Sequence, residues 1–224
     1  MSAVNTIVQS NAVHIVTDGA AYYLDRTFQF YANKIVPLPH LRCAVAVRGP
    51  ALAVPFLSSV LSHAETYDAL KEAAPEALQT AAEMYSPIFS ACCTGADFEV
   101  VVGGFTNDGR PDAYLVASHR RYGIEPWTVA PIDGLVCLPN DEKLHAKIVA
   151  SLPASATPDD LDPVRDGLTI LELQRSNPAA AVDGDDLCAI GGFAQLTSVT
   201  ADGISTRVIH RWPDRVGSKI GALN

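Results

Sequence analysis

Two patterns of apolar residues alternate along this chain and predict its secondary structure. Short apolar runs, some with alternating apolar and polar positions, are typical of strands, whereas apolar residues that recur every three or four positions are typical of helices. The predicted strands cover residues 1–9, 13–16, 34–38, 43–47, 98–105, 112–118, one or two segments within 128–138, 192–199 and 204–210. The predicted helices cover residues 51–64, 66–85, 141–151 and 164–175.

The segments between these elements are predicted to be loops. Residues 20–31 have an irregular pattern and carry five aromatic side chains, which we expect to pack onto a sheet rather than to line a pocket. Pro75 lies inside the second helix and is expected to split or kink it, because proline cannot donate the helical hydrogen bond. Further loops are predicted at residues 86–96, 153–163 and 178–186, of which the last is acidic.

The order of these elements predicts the fold class. Turn residues at 107–111 and at 200–203 join pairs of strands into long antiparallel hairpins, and the helices are grouped between the hairpins. An α+β fold follows, and we expect two antiparallel sheets packed face to face with helices outside them, a four-layer αββα sandwich. The 224 residues, 48% of them hydrophobic, suffice for one large core, and no linker is visible, so residues 1–224 are predicted to form a single domain.

The charge of the chain argues against some classes of partner. Sixteen Lys and Arg against 25 Asp and Glu give a net charge of −9, which disfavours nucleic acid and anionic membranes as partners. No apolar run approaches the length of a membrane span, and the N-terminus lacks the basic and apolar regions of a signal peptide. We therefore expect a cytoplasmic protein.

Neither a metal site nor a cofactor is predicted. The five cysteines (Cys43, Cys92, Cys93, Cys137 and Cys188) are odd in number and match no metal-ligand spacing, so buried reduced thiols are the expected interpretation. The six histidines are scattered, and the chain contains neither a phosphate-binding loop nor a Gly-x-Ser-x-Gly nucleophile motif.

Two charged residues at the ends of apolar strands are the first candidates for chemistry. Asp18 follows the strand predicted at 13–16, and Lys34 begins the one predicted at 34–38. Most Asp and Lys side chains in proteins are exposed, so on composition alone such a pair is more often ordinary surface charge.

Several motifs resemble the proteasome β-subunit and its bacterial ring-peptidase relatives, which belong to the N-terminal-nucleophile hydrolase superfamily. The second strand ends in Asp18-Gly19, Lys34 follows Asp18 by sixteen positions, and Ser2 precedes Asp18 by sixteen, all as in that family. Residues 39–49 are similar to the segment that supplies the family's backbone oxyanion donor. The family's central and final hairpins are similar to residues 100–118 and 191–203.

The resemblance implies a reaction and assigns its residues. Ser2 would be the nucleophile, with its own α-amine as the base, because that amine has a reference pKa near 8. Lys34 would lower the pKa of the hydroxyl, Asp18 would hold Lys34 charged and oriented, and a backbone N–H near Gly49 would bind the oxyanion. The reaction would be hydrolysis of a peptide or amide bond through an acyl-enzyme. It requires removal of Met1, which the small side chain of serine allows.

Three departures from the family's pattern keep a second function open. The nucleophile would be serine rather than the usual threonine, and Arg48 occupies or adjoins a position where the family prefers glycine. Ile190 stands in the place of a supporting serine, and Asp186 is one position away from the place of a supporting aspartate. The alternative is therefore a catalytically inactive relative with a structural or assembly role. A small-molecule amidase would share the chemistry of the hydrolase. Under both main hypotheses the resemblance implies a homo-oligomer, as a ring or a stacked assembly.

Overall fold

Two antiparallel sheets and four helices form the described part of the chain. The computed structural model describes residues 2–23, 25–91, 96–153, 156–177 and 190–221. Its strands are β1 (Val4–Val8), β2 (Ala12–Asp18), β3 (Ala20–Tyr22), β4 (Phe28–Tyr31), β5 (Ile35–Leu38), β6 (Cys43–Arg48), β7 (Glu99–Phe105), β8 (Pro111–Ala117), β9 (Ala130–Pro131), β10 (Leu135–Leu138), β11 (Phe193–Thr200) and β12 (Gly203–Arg211). Its helices are α1 (Ala53–Leu61), α2 (Tyr67–Ala91), α3 (Glu142–Ser151) and α4 (Arg165–Arg175).

The strands are arranged in two large sheets and one small one. The first sheet has the order β10-β1-β2-β11-β12, and the second has the order β5-β6-β7-β8-β9. Strands β3 and β4 form a separate two-stranded sheet. All of these pairings are antiparallel. The predicted mixed fold with antiparallel sheets and helices is confirmed.

Apolar side chains from the two large sheets meet in one buried cluster. Val13 and Ile15 of the first sheet pack there with Ala44, Ala46 and Val101 of the second. Because successive side chains of a strand point to opposite faces, the intervening residues of these strands face away from this cluster.

Helices pack against residues of both large sheets. Val16 of β2 packs with Leu171 of α4, while Val45 of β6 packs in a cluster with Leu57 of α1 and Leu78 of α2. Within the described residues, no helix combines the length and the apolar character that crossing a membrane requires.

Helix α2 is longer than its prediction. Of the two predicted effects of Pro75 the split does not occur, and the helix continues to Ala91, so the loop predicted at 86–96 is wrong for residues 86–91. An interior proline removes one hydrogen bond and costs roughly 3 kcal/mol. The buried residues Leu70 and Leu78, which lie on either side of the proline, keep the helix against the sheet, and this packing outweighs the local cost.

The segment at 20–31 also differs from its prediction. It is not irregular but forms the β3–β4 hairpin, in which Ala20 pairs with Tyr31. In addition, β2 does not end at Val16 but continues to Asp18, because it remains paired with β11 as far as Ala194. Long-range pairing of this kind leaves no signal in the local sequence pattern.

Two of the five cysteines lie in the described residues. Cys43 and Cys137 are buried and free, and burial raises the pKa of each thiol to about 12. Both thiols are therefore protonated at neutral pH, as expected for buried structural cysteines. Cys92, Cys93 and Cys188, together with the loop predicted at 178–186, lie outside the described residues.

Candidate active site

A pocket of about 340 Å³ lies where β2, β5 and β6 end or begin, and it contains three of the four predicted site residues. Ser2, Lys34 and Gly49 line it, and Asp18 lies directly behind Lys34. Most of the remaining wall is apolar, and it consists of Ala20, Ala21, Tyr22, Gln29, Phe30, Ala32, Val47, Ala51, Leu52, Val54 and Ala91. The structure thus brings together four residues that are distant along the sequence.

Asp18, the last residue of β2, is fully buried and accepts four hydrogen bonds. Its Oδ1 accepts from the Lys34 Nζ at 2.7 Å and from the backbone N–H of Ala3 at 2.8 Å. Its Oδ2 accepts from the backbone N–H groups of Ala20 and Gly191, each at 3.2 Å. Each carboxylate oxygen thus accepts two hydrogen bonds, which fix the orientation of the carboxylate. Asp18 thereby joins the N-terminal segment to β3, β5 and the start of β11.

Lys34 immediately precedes β5, and its side chain is almost completely buried. Burial lowers the pKa of Lys34, the nearby Asp18 carboxylate raises it, and the positive charge of Arg48 lowers it again, with a net lowering. Asp18 therefore acts in the expected direction, but removal of water from the ammonium group has the larger effect.

Gly49 connects β6 to the segment before α1 and has a backbone conformation that favours glycine. Its φ is +140°, and a Cβ at this position would lie 2.7 Å from the Cβ of Phe98 and 2.8 Å from the carbonyl oxygen of Asp97. Glycine is thus required both by the dihedral angle and by the close approach of the neighbouring chain. This requirement fixes the course of the backbone along the pocket wall.

A second group of buried charges, which the sequence analysis did not predict, lies next to Ser2. Arg48, which we noted only as a departure from the family's pattern, donates from Nε to the carbonyl oxygen of Ser2 at 2.5 Å. Its Nη1 donates to the Glu99 Oε1 at 2.8 Å and to the Tyr122 hydroxyl at 3.2 Å. The His119 Nε2 lies 3.1 Å from the same Glu99 oxygen.

The environment of Glu99 keeps it ionised. Burial raises the pKa of its carboxyl, but the Arg48 guanidinium and then His119 lower it, and the net direction is downward. Arg48 ends the apolar run of β6, and Glu99 begins the apolar run of β7. The two residues are cross-strand partners, so opposite charges at the ends of two neighbouring strands are the sequence signal that could have predicted this pair.

The family's supporting serine has no polar replacement at Ile190. This residue is 1% exposed and packs with Val16, Leu171 and Trp212. Asp186, the other predicted departure, lies outside the described residues.

Polar support nearby comes instead from Asp214. Its Oδ2 accepts from the Gly192 N–H at 2.8 Å, while its two oxygens receive both terminal nitrogens of Arg175 at 2.7 and 2.9 Å. Asp214 thus holds the turn that also supplies Gly191 to Asp18.

The aromatic residues of 20–31 divide between two roles. Phe28 is buried with Ala20 and Ile220, as expected for packing, whereas Tyr22 and Phe30 line the pocket. Tyr22 also packs against the cluster of Phe28, so it does both, whereas the expectation of packing alone is wrong for Phe30. In the part of the chain that the structure describes, no cluster of three or more His, Cys, Asp or Glu could hold a metal ion.

Comparison with known proteins supports the fold alone. No protein-family model matches the chain, and no curated protein sequence matches it. Among solved structures it is similar to Anbu, a bacterial proteasome-related protein, in the form of the Gly-1 mutant from Hyphomicrobium sp. strain MC1. The TM-score is 0.66 at 11% sequence identity, over 94% of this chain and 87% of that one. The chain thus has a proteasome-like fold.

Proposed function

We propose that this chain is an N-terminal-nucleophile hydrolase that cleaves peptide or amide bonds, with Ser2 as nucleophile after removal of Met1. The observation that carries the proposal is the buried ion pair of Lys34 and Asp18, 2.7 Å apart, beside a pocket that Ser2 and Gly49 also line. Burying two charges is costly unless they are paired, and such pairs at a cleft are typical of functional sites.

The proposed reaction uses two groups of Ser2, its hydroxyl and its α-amine. The free α-amine of Ser2 takes the proton of the hydroxyl as the oxygen attacks the substrate carbonyl. The same amine then delivers the proton to the leaving amine, which gives an acyl-enzyme ester that water hydrolyses. The charged Lys34 lowers the pKa of the hydroxyl, and the Gly49 N–H stabilises the oxyanion by about 3 kcal/mol.

The pocket supports a preference for an apolar group beside the scissile bond. Alanines and valines form much of its wall, including Ala20, Ala21, Val47 and Val54. An apolar side chain is favoured there by roughly 25 cal/mol per Å² of surface removed from water. Substrates with a medium-sized aliphatic residue before the cleaved bond are therefore expected to react faster than those with an acidic one.

The test combines mass measurement with covalent labelling. The intact mass of the purified protein is measured before and after incubation with an electrophile directed at N-terminal hydroxyl groups. We expect a mass without Met1 and one adduct that maps to Ser2, and no adduct in Ser2→Ala or Lys34→Ala. If both variants hydrolyse a peptide amide as fast as the parent, the assignment is wrong.

The alternative is a catalytically inactive proteasome-like subunit with a structural or assembly role. The apolar environment of Ile190, where the resembled family has a supporting serine, favours it. It predicts a chain that retains Met1, or lacks it and still forms no adduct, while remaining assembled.

Assembly and architecture form the remaining part of the proposal. We propose a cytoplasmic homo-oligomer, as a ring or stacked assembly, of a single domain with the four-layer αββα arrangement. The separate apolar clusters between the sheets and under the helices support the layering. Light scattering after gel filtration tests the assembly, and a monomer at micromolar concentration would contradict it.

A further inference from the structure

The peptide unit between Ser2 and Ala3 is held at both of its polar atoms by buried charges. The Ala3 N–H donates to the Asp18 Oδ1 at 2.8 Å, and the Ser2 carbonyl accepts from the Arg48 Nε at 2.5 Å. The first contact comes from Asp18 of β2 and the second from Arg48 of β6. Both contacts act on the peptide unit of Ser2, the residue whose hydroxyl and amine the proposed reaction uses.

Arg48 is itself immobilised from two further elements. It is 2% exposed, and its Nη1 contacts Glu99 of β7 and Tyr122 of the segment after β8. Glu99 also contacts His119, which precedes Tyr122 by three residues. A guanidinium has donors on several nitrogens in a rigid plane, so it can hold a carbonyl and a carboxylate at the same time.

We propose that Arg48, held in place by Glu99, is a positioning residue that fixes the Ser2 carbonyl and thereby the nucleophile in the pocket that Lys34 also lines. The inference rests on the proposed function and deepens it. With the Ser2–Ala3 peptide plane fixed on both sides, the hydroxyl can move only by rotation about the Cα–C and Cα–Cβ bonds of Ser2. Displacement of a reacting group by about 1 Å typically costs on the order of 100-fold in rate.

Because Arg48 is charged, its removal should change the pH dependence of Ser2 labelling, which a purely structural role would leave unchanged. Two charged groups act on Lys34: Asp18 from β2 raises its pKa, and Arg48 from β6 lowers it. Behind Arg48 lie Glu99, which partly balances its charge, and His119. Loss of the Arg48 charge therefore moves the pKa of Lys34 upward, and any rate limit set by deprotonation of Lys34 moves to higher pH.

The experiment separates position from charge with matched variants. Arg48→Lys keeps the positive charge but lacks the planar set of guanidinium donors, and Arg48→Met removes both. The double variant Arg48→Met with Glu99→Gln avoids leaving a buried unpaired carboxylate. Arg110→Met is the control, since Arg110 forms an exposed pair with Asp108. For each protein lacking Met1, kcat, KM, the pH dependence of Ser2 labelling and the melting temperature are measured.

We expect each Arg48 variant to lower kcat by about 10- to 100-fold with KM changed less than about threefold. The alkaline limb of the pH profile moves to higher pH in both variants with Met and stays in place in Arg48→Lys. The control matches the parent. Unchanged kcat, or a lower kcat with the alkaline limb unmoved in the Met variants, overturns the proposal.

Crystal structures of the parent and of Arg48→Met keep this inference separate from the proposed function. If the parent lacks Met1 and still does not react, the proposed hydrolase function fails. The structures then test the positioning role of Arg48 alone: a displaced Ser2 carbonyl in the variant supports that role, and an unmoved carbonyl overturns it.

Discussion

The space between the two sheets and the end of the sheets beside the pocket are equally buried and chemically opposite. Val13, Ile15 and Val101 are at most 1% exposed and meet only apolar neighbours in their cluster. Asp18 and Lys34, at 0% and 5% exposure, are just as well hidden from water but carry full charges. Strand β2 contributes to both regions, because it begins in the apolar cluster and ends at Asp18.

This difference indicates which region the stability of the fold depends on. Apolar burial contributes roughly 25 cal/mol per Å², whereas a buried ion pair is on average no better for stability than apolar residues of the same size. The sheet interface therefore supplies folding free energy, and the charged end is better explained by chemistry. Substitutions in the two regions should separate stability from activity.

The largest expected effect is on activity, from Lys34→Ala. Removal of the ammonium group takes away the charge that lowers the pKa of the Ser2 hydroxyl, and contributions of this kind are typically about 10²- to 10⁴-fold in rate. Loss of the ammonium group also leaves the buried Asp18 carboxylate without its ion-pair partner and lowers stability, although Asp18 keeps its three backbone donors. The rate is therefore expressed per folded molecule. Steady-state hydrolysis of a peptide amide measures the effect, with Lys71→Ala on helix α2 as the control. Equal losses in both variants would contradict the special role of Lys34.

The next effect is on stability, from Glu99→Ala. It leaves Arg48 buried without its carboxylate, and breaking one side of a buried pair costs about 3–5 kcal/mol. Urea unfolding monitored by circular dichroism measures this loss. Replacing Arg48 and Glu99 together by Met and Leu should recover most of it, because no unpaired charge remains. A double variant as unstable as the single one would show that the pair itself stabilises the fold.

A smaller loss is expected from Gly103→Ala in β7, within the sheet interface. A Cβ at this position would lie 2.6 Å from the Cγ1 of Val13 and 3.2 Å from the Cδ1 of Ile15 in the opposite sheet. Overpacking of this kind costs about 1–3 kcal/mol, while the rate per folded molecule should not change. The partner substitution Val13→Ala makes room, so the double variant should lose less stability than the two single losses added together. Simple additivity, measured by thermal unfolding, would argue against contact between the sheets here.

The smallest effect concerns pH and His14 of β2. Burial lowers the pKa of His14 from 6.5, and Asp162 opposes this only in part. Below about pH 6.5 the unfolded chain therefore binds a proton that the folded chain does not, so stability falls as the pH falls. The melting temperature should drop between pH 7 and pH 5, and His14→Asn should reduce that drop. His63→Asn, at an exposed position, is the control, and an identical drop in parent and His14→Asn would refute the assignment.

Local sequence patterns were sufficient where an element depends on its own residues. The final hairpin follows from its Asp-Gly turn between two alternating runs, and α3 begins after Asp141, whose side chain accepts from the Leu144 N–H at 2.8 Å. Such elements are specified by turn and cap chemistry within a few positions. The β3–β4 hairpin, in which Phe28 donates to the carbonyl oxygen of Ser218 and packs with Ile220 near the end of the described chain, was not predicted. The extension of α2 beyond residue 85 was not predicted either.

By itself the sequence determined the alternation of strands and helices and the residues that the resemblance marks for chemistry. The spacing of Ser2, Asp18 and Lys34 is a property of the chain, and the proteasome-like fold agrees with it. Only the tertiary structure decided that Arg48 and Glu99 lie buried beside Ser2, because cross-strand register and burial arise from pairing of segments about fifty positions apart. A charge is visible in any sequence, but its dielectric surroundings and its partner exist only once the sheets have assembled.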